Sequence, residues 1–164
     1  MDINVIKVNY ADSVQAGHLV ELLSYYALDP MGGGEDLSDF TKENLIARLS
    51  KLPHAFSLLA YHDNKPVGLM NCFDGFSTFA CAPIVNIHDV VVLDQYRGKG
   101  VCRKMFDTVE SIAKVKECCK LTLEVLPGNI PAKAAYHVLG FTAYELNSEQ
   151  HPDLGCAEFW QKYL

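Results

Sequence analysis

No apolar run in the 164 residues approaches the roughly 18 needed to cross a bilayer, so no membrane partner is expected. The opening stretch MDINVIKVNYADSV lacks a basic segment followed by an apolar one, so no export signal is expected and the expected location is the cytoplasm. A basic excess is also missing. The formal net charge is −6, which excludes general nucleic-acid binding, because phosphate contacts need clustered cations, and leans toward a cationic small substrate. The six cysteines, at 72, 81, 102, 118, 119 and 156, contain no CxxC pair and share no ligand spacing with the six histidines, so no metal is expected. They read as reduced thiols packed as small hydrophobes. Repeats and Pro/Ser-rich linkers are absent, and the only low-complexity tract is Gly32-Gly33-Gly34. One domain spanning 1–164 is therefore expected.

What is present alternates between strand-like and helix-like patterns. Residues 3–10 alternate as a strand, and Asp12 or Ser13 can cap a helix with Val14, Leu19, Leu22, Leu23 and Tyr26 at helical spacing, ending before Pro30. Thr41 heads a second helix whose face is Leu45, Ile46 and Leu49. HAFSLLAYHD and PVGLMNCFDGFSTF form a hairpin turning around Asn64-Lys65, and APIVNIHDVVVL is a third, longer strand. An amphipathic helix follows from the second glycine of RGKG, with Val101, Met105, Val109, Ile112 and Ala113 on one face. The strand KLTLEV, the helix PAKAAYHVL stopped by Gly140, and two strands, FTAYEL and AEFWQKYL, complete an α+β, mixed-sheet domain.

The segment VVVLDQYRGKGVCRKMF places glycine and positive charge where a buried strand meets a helix. A helix N-terminus presents unpaired N–H groups and partial positive charge. Gly98 and Gly100 let an anion approach those amides, and Arg97, Lys99, Arg103 and Lys104 can add charged contacts. A phosphate or pyrophosphate is the expected anion. The Walker pattern is absent, and Arg103 stands where a dinucleotide fingerprint needs its third glycine.

Gln95-Tyr96-Arg97-Gly98-Lys99-Gly100 resembles the Q/R-x-x-G-x-G/A pyrophosphate loop of the GCN5-related N-acetyltransferase (GNAT) superfamily. LTLEVLPGNIPAKAAYHVLGFTAYEL is similar to that family's second signature, N-x-x-A followed by Y-x-x-x-G-F. The resemblance implies a mostly antiparallel sheet of about seven strands, splayed at its centre and flanked by about four helices. It implies acetyl-CoA as cofactor and a homodimer. The pantetheine arm would pair with the strand of Val90, Val91 and Val92. The pyrophosphate would lie beside Gln95 on the amides of Arg97, Gly98, Lys99, Gly100, Val101, Cys102 and Arg103, with Asn129 and Ala132 nearer the thioester.

Acetyl transfer to an amine needs a neutral nucleophile, a polarised carbonyl and a proton for the departing thiolate. By resemblance, Tyr136 is the general acid; read from its helix alone, it is equally a core residue in the stripe of Ala132, Ala135 and Leu139. His88-Asp89 is similar to the Glu-Asp pair of the diamine and polyamine acetyltransferases, with His88 replacing the first acid. As neighbours in a strand their side chains should face opposite sides, leaving at most one at the acetyl site. Glu35, Asp36 and Asp74, set among aromatics, are candidate contacts for an ammonium group; the alternative is that they are acids of a solvated loop. Phe159 and Trp160 read as core or dimer contacts. The expected activity is direct acetylation of a small primary amine, such as a diamine or polyamine. The alternatives are acetylation of a peptide or protein amino group, or a regulatory module that binds CoA without catalysis.

Overall fold

The computed structural model describes residues 1–143 and 162. The chain divides into two compact units, Met1–Leu126 and Pro127–Leu164.

The first unit is built on a five-stranded sheet of order β1-β2-β3-β4-β5. Its strands are β1 (Asn4–Lys7), β2 (Ala55–His62), β3 (Lys65–Ser77), β4 (Ala82–Val92) and β5 (Lys120–Leu123), with α1 (Ser13–Leu28), α2 (Asp39–Leu49) and α3 (Val101–Val115) between them. The first four strands pair antiparallel, and β5 joins β4 in parallel. The α+β, mixed-sheet class expected from the sequence is the class observed. Seven strands were expected, and the described residues form five. The last expected strand lies outside the described residues except at Lys162, as do Cys156, Phe159 and Trp160. Of the sixth, only Phe141–Ala143 is described, without strand pairing.

Local chemistry explains the boundaries. Asp12 accepts from the N–H groups of Val14 and Gln15, which starts α1. Ser38, not Thr41, caps α2, because its hydroxyl accepts from Thr41 N at 3.1 Å. Asn44 instead donates back to the Phe40 carbonyl at 2.8 Å. The β2–β3 turn sits at Asp63-Asn64, one residue earlier than expected, since both adopt positive φ (49° and 61°) and Lys65 already pairs with His62.

Both sheet faces are covered, so the central strands read as near-continuous apolar runs. On one face Leu59, Leu69 and Val91 pack with Leu19 and Leu22 of α1 and Leu49 of α2. On the other, α3 buries Val101, Met105, Phe106, Val109 and Ala113 at helical spacing. Gly68 of β3 permits that approach, because a Cβ there would sit 3.1 Å from Met105 and Val101. The thiols depart from expectation: Cys72 is buried, but Cys81 and Cys119 are exposed.

The second unit contains α4 (Ile130–Val138). Asn129 caps it by accepting from Ala132 N at 3.2 Å. At its other end Gly140 has φ 90°, Gly140 N donates to the His137 carbonyl and Phe141 N to that of Tyr136. This double closure is a Schellman ending, completed by contact between the Tyr136 and Phe141 rings at 6.1 Å.

Candidate active site

The β4–α3 junction builds the expected anion cradle. After β4 the chain makes one 3₁₀ turn at Asp94–Tyr96, then passes Gly98 (φ 71°) and Gly100 (φ 86°) into α3. The first bond reaching back to this turn among the described residues runs from Lys104 N to Gly100 O at 3.1 Å, so the amides of Val101 and Cys102, in the first turn, have no acceptor within the helix. A Cβ built on either glycine would meet nothing within 4 Å, so the concavity in front of the amides is open. These residues fit a pyrophosphate.

The basic residues of this segment divide. Arg97 Nε donates to Val92 O at 3.1 Å, and its guanidinium reaches Asp94 at 2.9 Å and Asp29, at the end of α1, at 3.6 Å. Its backbone N–H is taken by Asp94 O. Lys104 donates to Ile3 O at 3.1 Å. Both side chains are thus engaged within the fold. Lys99 lies over the Tyr96 ring at 5.8 Å, and Gln95 is exposed.

The sheet splays as expected. Strand β5 pairs only with Ile84–Ile87, so among the described residues Asp89 to Val92 have a strand partner on the β3 side alone. Leu93 N donates to Val67 O, which sets the antiparallel alternation: Val91 exchanges bonds with β3, while Val90 and Val92 turn their N–H and C=O toward the open edge. Val91 is instead core, 3% exposed.

At the point of splaying the register slips. Asn71 pairs with Asp89 and Cys72 with Ile87, leaving His88 as the extra residue of a β-bulge. The expectation that His88 and Asp89 face opposite sides fails for this reason. Both line one cleft of about 360 Å³ on the α1/α2 face of the sheet. The His88 ring meets Phe73 edge-on at 5.7 Å.

Asp89 ends a hydrogen-bond chain across the sheet. Asn71 Nδ2 donates to Asp89 Oδ2 at 2.9 Å, and Ser57 Oγ donates to Asn71 Oδ1 at 2.6 Å. Tyr10 OH lies 2.9 Å from Ser57 Oγ and must donate, since the serine proton is already used. Every proton in the chain points toward the carboxylate. Ser57 and Asn71 are the buried polar residues of the described core, and neither leaves a buried polar atom unsatisfied. Sequence reasoning missed these three residues. Their one signal was a serine and an asparagine inside otherwise apolar strands, which becomes meaningful only once register places them side by side.

The cleft walls are apolar, formed by Leu23, Tyr26 and Ala27 of α1, Leu45 and Leu49 of α2, and Phe73 of β3. Burial, followed by the charge of Asp89, pushes the Tyr26 phenol above its ordinary pKa. The candidate acids elsewhere do not join Asp89. Asp36 is paired with Lys42 at 2.6 Å, and that hydrogen bond holds its carboxyl below the usual range. Asp74 is bound by Lys116, just past α3, at 2.7 Å, so it serves the opposite face. Glu35 is exposed on the α1–α2 loop and does not line the cleft. Within the second unit, Tyr136 is half-buried, and Asn129 spends its side-chain oxygen on the cap.

Solved structures share this fold along nearly the whole chain. An aminoglycoside acetyltransferase from an uncultured soil metagenomic sample, in complex with sisomicin, superposes with a TM-score of 0.76 at 16% identity, covering 99% of this chain and 97% of that one. The aminoglycoside N-acetyltransferase AAC(6')-Iy in complex with CoA gives 0.73 at 16% identity, covering 99% and 96%. A ribosomal-protein-alanine N-acetyltransferase from Brucella melitensis biovar Abortus 2308 gives 0.67 at 18% identity, covering 99% and 97%. The family model described as "Acetyltransferase (GNAT) family" matches residues 19–141, which include the glycine cradle, the splayed strand and the Asn129/Tyr136 signature. The chain belongs to the GNAT acetyltransferase family, whose members transfer an acetyl group from acetyl-CoA to an amine.

Proposed function

We propose that this protein acetylates a small primary amine directly, with no covalent enzyme intermediate, and that the acceptor enters the cleft over Asp89. The observation supporting this reading is the bulge that turns His88 and Asp89 into one cleft at the point where β4 opens. When bound, acetyl-CoA supplies the thioester carbonyl. The α3 amides would hold its pyrophosphate, and the edge at Val90 and the Val92 N–H would hold its pantetheine, the Val92 carbonyl being taken by Arg97.

The acceptor arrives as an ammonium and must lose a proton before its nitrogen attacks. Asp89, oriented by Asn71, would bind that ammonium, and Asp89 or His88 would take the proton through water. The C–N bond would form as the C–S bond breaks, and by the family signature the Tyr136 hydroxyl would supply the proton for the departing thiolate. The role of Tyr136 rests on the family signature and on a tyrosine set seven residues after Asn129.

The neighbours include enzymes named for aminoglycosides and one named for a ribosomal protein. A cleft of about 360 Å³ lined, among the described residues, by one carboxylate favours a small amine over a protein amino terminus. One acting domain over 1–164, a homodimer and a cytoplasmic location complete the proposal. Incubation with acetyl-CoA and a mixed amine panel, read by mass spectrometry for products one acetyl heavier, tests it. Bound acetyl-CoA with no acetylated product would favour the regulatory module instead.

A further inference from the structure

We propose that the preferred acceptor carries one positive charge on a compact apolar body, such as an arylalkyl or short alkyl amine, and is neither a polyamine nor a multi-ring polycation. This rests on the reading that acceptors enter the cleft over Asp89.

Among the described residues, the cleft is lined by one carboxylate with an oxygen to spare. Oδ2 of Asp89 is held by Asn71, and Oδ1 has no partner among the described residues. Of the other acids on this side of the sheet, Asp36 is matched with Lys42, Asp29 with Met31 N at 2.8 Å and Arg97, and Glu35 does not line the cleft. One ammonium can therefore be neutralised. A second would have to be desolvated against Leu23, Leu45, Leu49 and Phe73, where no described residue pairs with it, and an unpaired buried charge is strongly unfavourable.

The walls also specify what the rest of the acceptor should be. Leucine and phenylalanine side chains gain by covering apolar surface, and the Tyr26 ring beside the carboxylate can face a cation. A volume of about 360 Å³ lies near the lower limit of roughly 300 Å³ for small-molecule sites, enough for one ring and a short arm. Leu37, on the α1–α2 loop, lines the cleft without belonging to the packed core.

The test is a comparison of kcat/KM for 2-phenylethylamine, hexylamine, spermidine and kanamycin with the full chain and acetyl-CoA. Each of the two monoamines should exceed spermidine and kanamycin by about tenfold or more, the effect of roughly one poorly paired charge. Placing a second carboxylate on the wall with Leu37→Glu should raise the hexane-1,6-diamine to hexylamine ratio at least about fivefold, close to 1 kcal/mol at RT of about 0.59 kcal/mol. Turnover that favours spermidine or kanamycin overturns the assignment while leaving small-amine acetylation intact, and so does a Leu37→Glu ratio that does not move. Acetylation of none of these amines, with acetyl-CoA still bound, overturns both readings.

Discussion

Asn71 donates to Asp89 at 2.9 Å on the rung where the β3–β4 register slips, so one side chain both marks the bulge and aims the cleft's carboxylate. Replacing Asn71 by alanine removes that donor and strands the Ser57 hydroxyl, a loss of about 1–3 kcal/mol in stability. Activity should fall further than stability explains, with kcat/KM down roughly 10- to 100-fold, the scale seen when a supporting partner of a reactive group is lost. Tyr10→Phe, at the far end of the chain, should cost only a few-fold. Steady-state kinetics beside thermal melts separate the two effects. An Asn71→Ala enzyme with native kcat/KM would remove Asn71 from the acceptor site.

Gly100 sits at φ 86° with open space before it. Gly100→Ala meets a left-handed strain of about 1–2 kcal/mol at the turn that presents the α3 amides. The KM for acetyl-CoA should rise tenfold or more while the amine KM barely changes. Calorimetric titration with CoA checks this directly, and unchanged affinity would place the pyrophosphate elsewhere.

Arg97 joins three parts of the first unit: the Val92 carbonyl, Asp94 and Asp29. Since the ion pairs are exposed, Arg97→Met should reduce stability by about 1 kcal/mol or less. It should weaken both substrates together, because one side chain steadies the cradle and the loop bordering the cleft. A change confined to acetyl-CoA would instead make Arg97 a phosphate ligand.

Burial pushes the Cys72 thiol from 9.0 to about 12. A raised pKa means that the folded state holds the proton while the unfolded chain releases it. Stability from this source is complete below about pH 9 and declines as pH climbs toward about 12. Urea melts across that window should show the decline, and Cys72→Val should flatten it. An equally steep decline in the variant would assign the effect to other groups, among them Tyr10 and Tyr26, which burial also raises.

Tyr136→Phe keeps the ring that packs against Phe141 and the backbone bonds that close α4, so the end of α4 should be preserved, and a thermal melt checks that the variant is folded. If the hydroxyl protonates the leaving sulfur, kcat should fall about 100-fold. A folded variant with full turnover would return Tyr136 to a packing role.

The sequence by itself determined the elements and the anion cradle, because both are local. Period-2 and helical spacing specify strands and helices, and two glycines between a strand and a helix expose amides whatever surrounds them. The Gly140 stop was legible on the same ground. Only the tertiary structure decided the polar side of the site. A β-bulge is a mismatch between two strands, invisible in either alone, and it moved His88 and Asp89 into one cleft. Pairing decided the charges as well: Asp36, Asp74, Arg97 and Lys104 look available in a linear reading, yet each is engaged by a group 5 to 101 residues away. The Tyr10–Ser57–Asn71–Asp89 chain draws one residue from each of four neighbouring stretches, and only the register of the sheet brings those residues within hydrogen-bond reach.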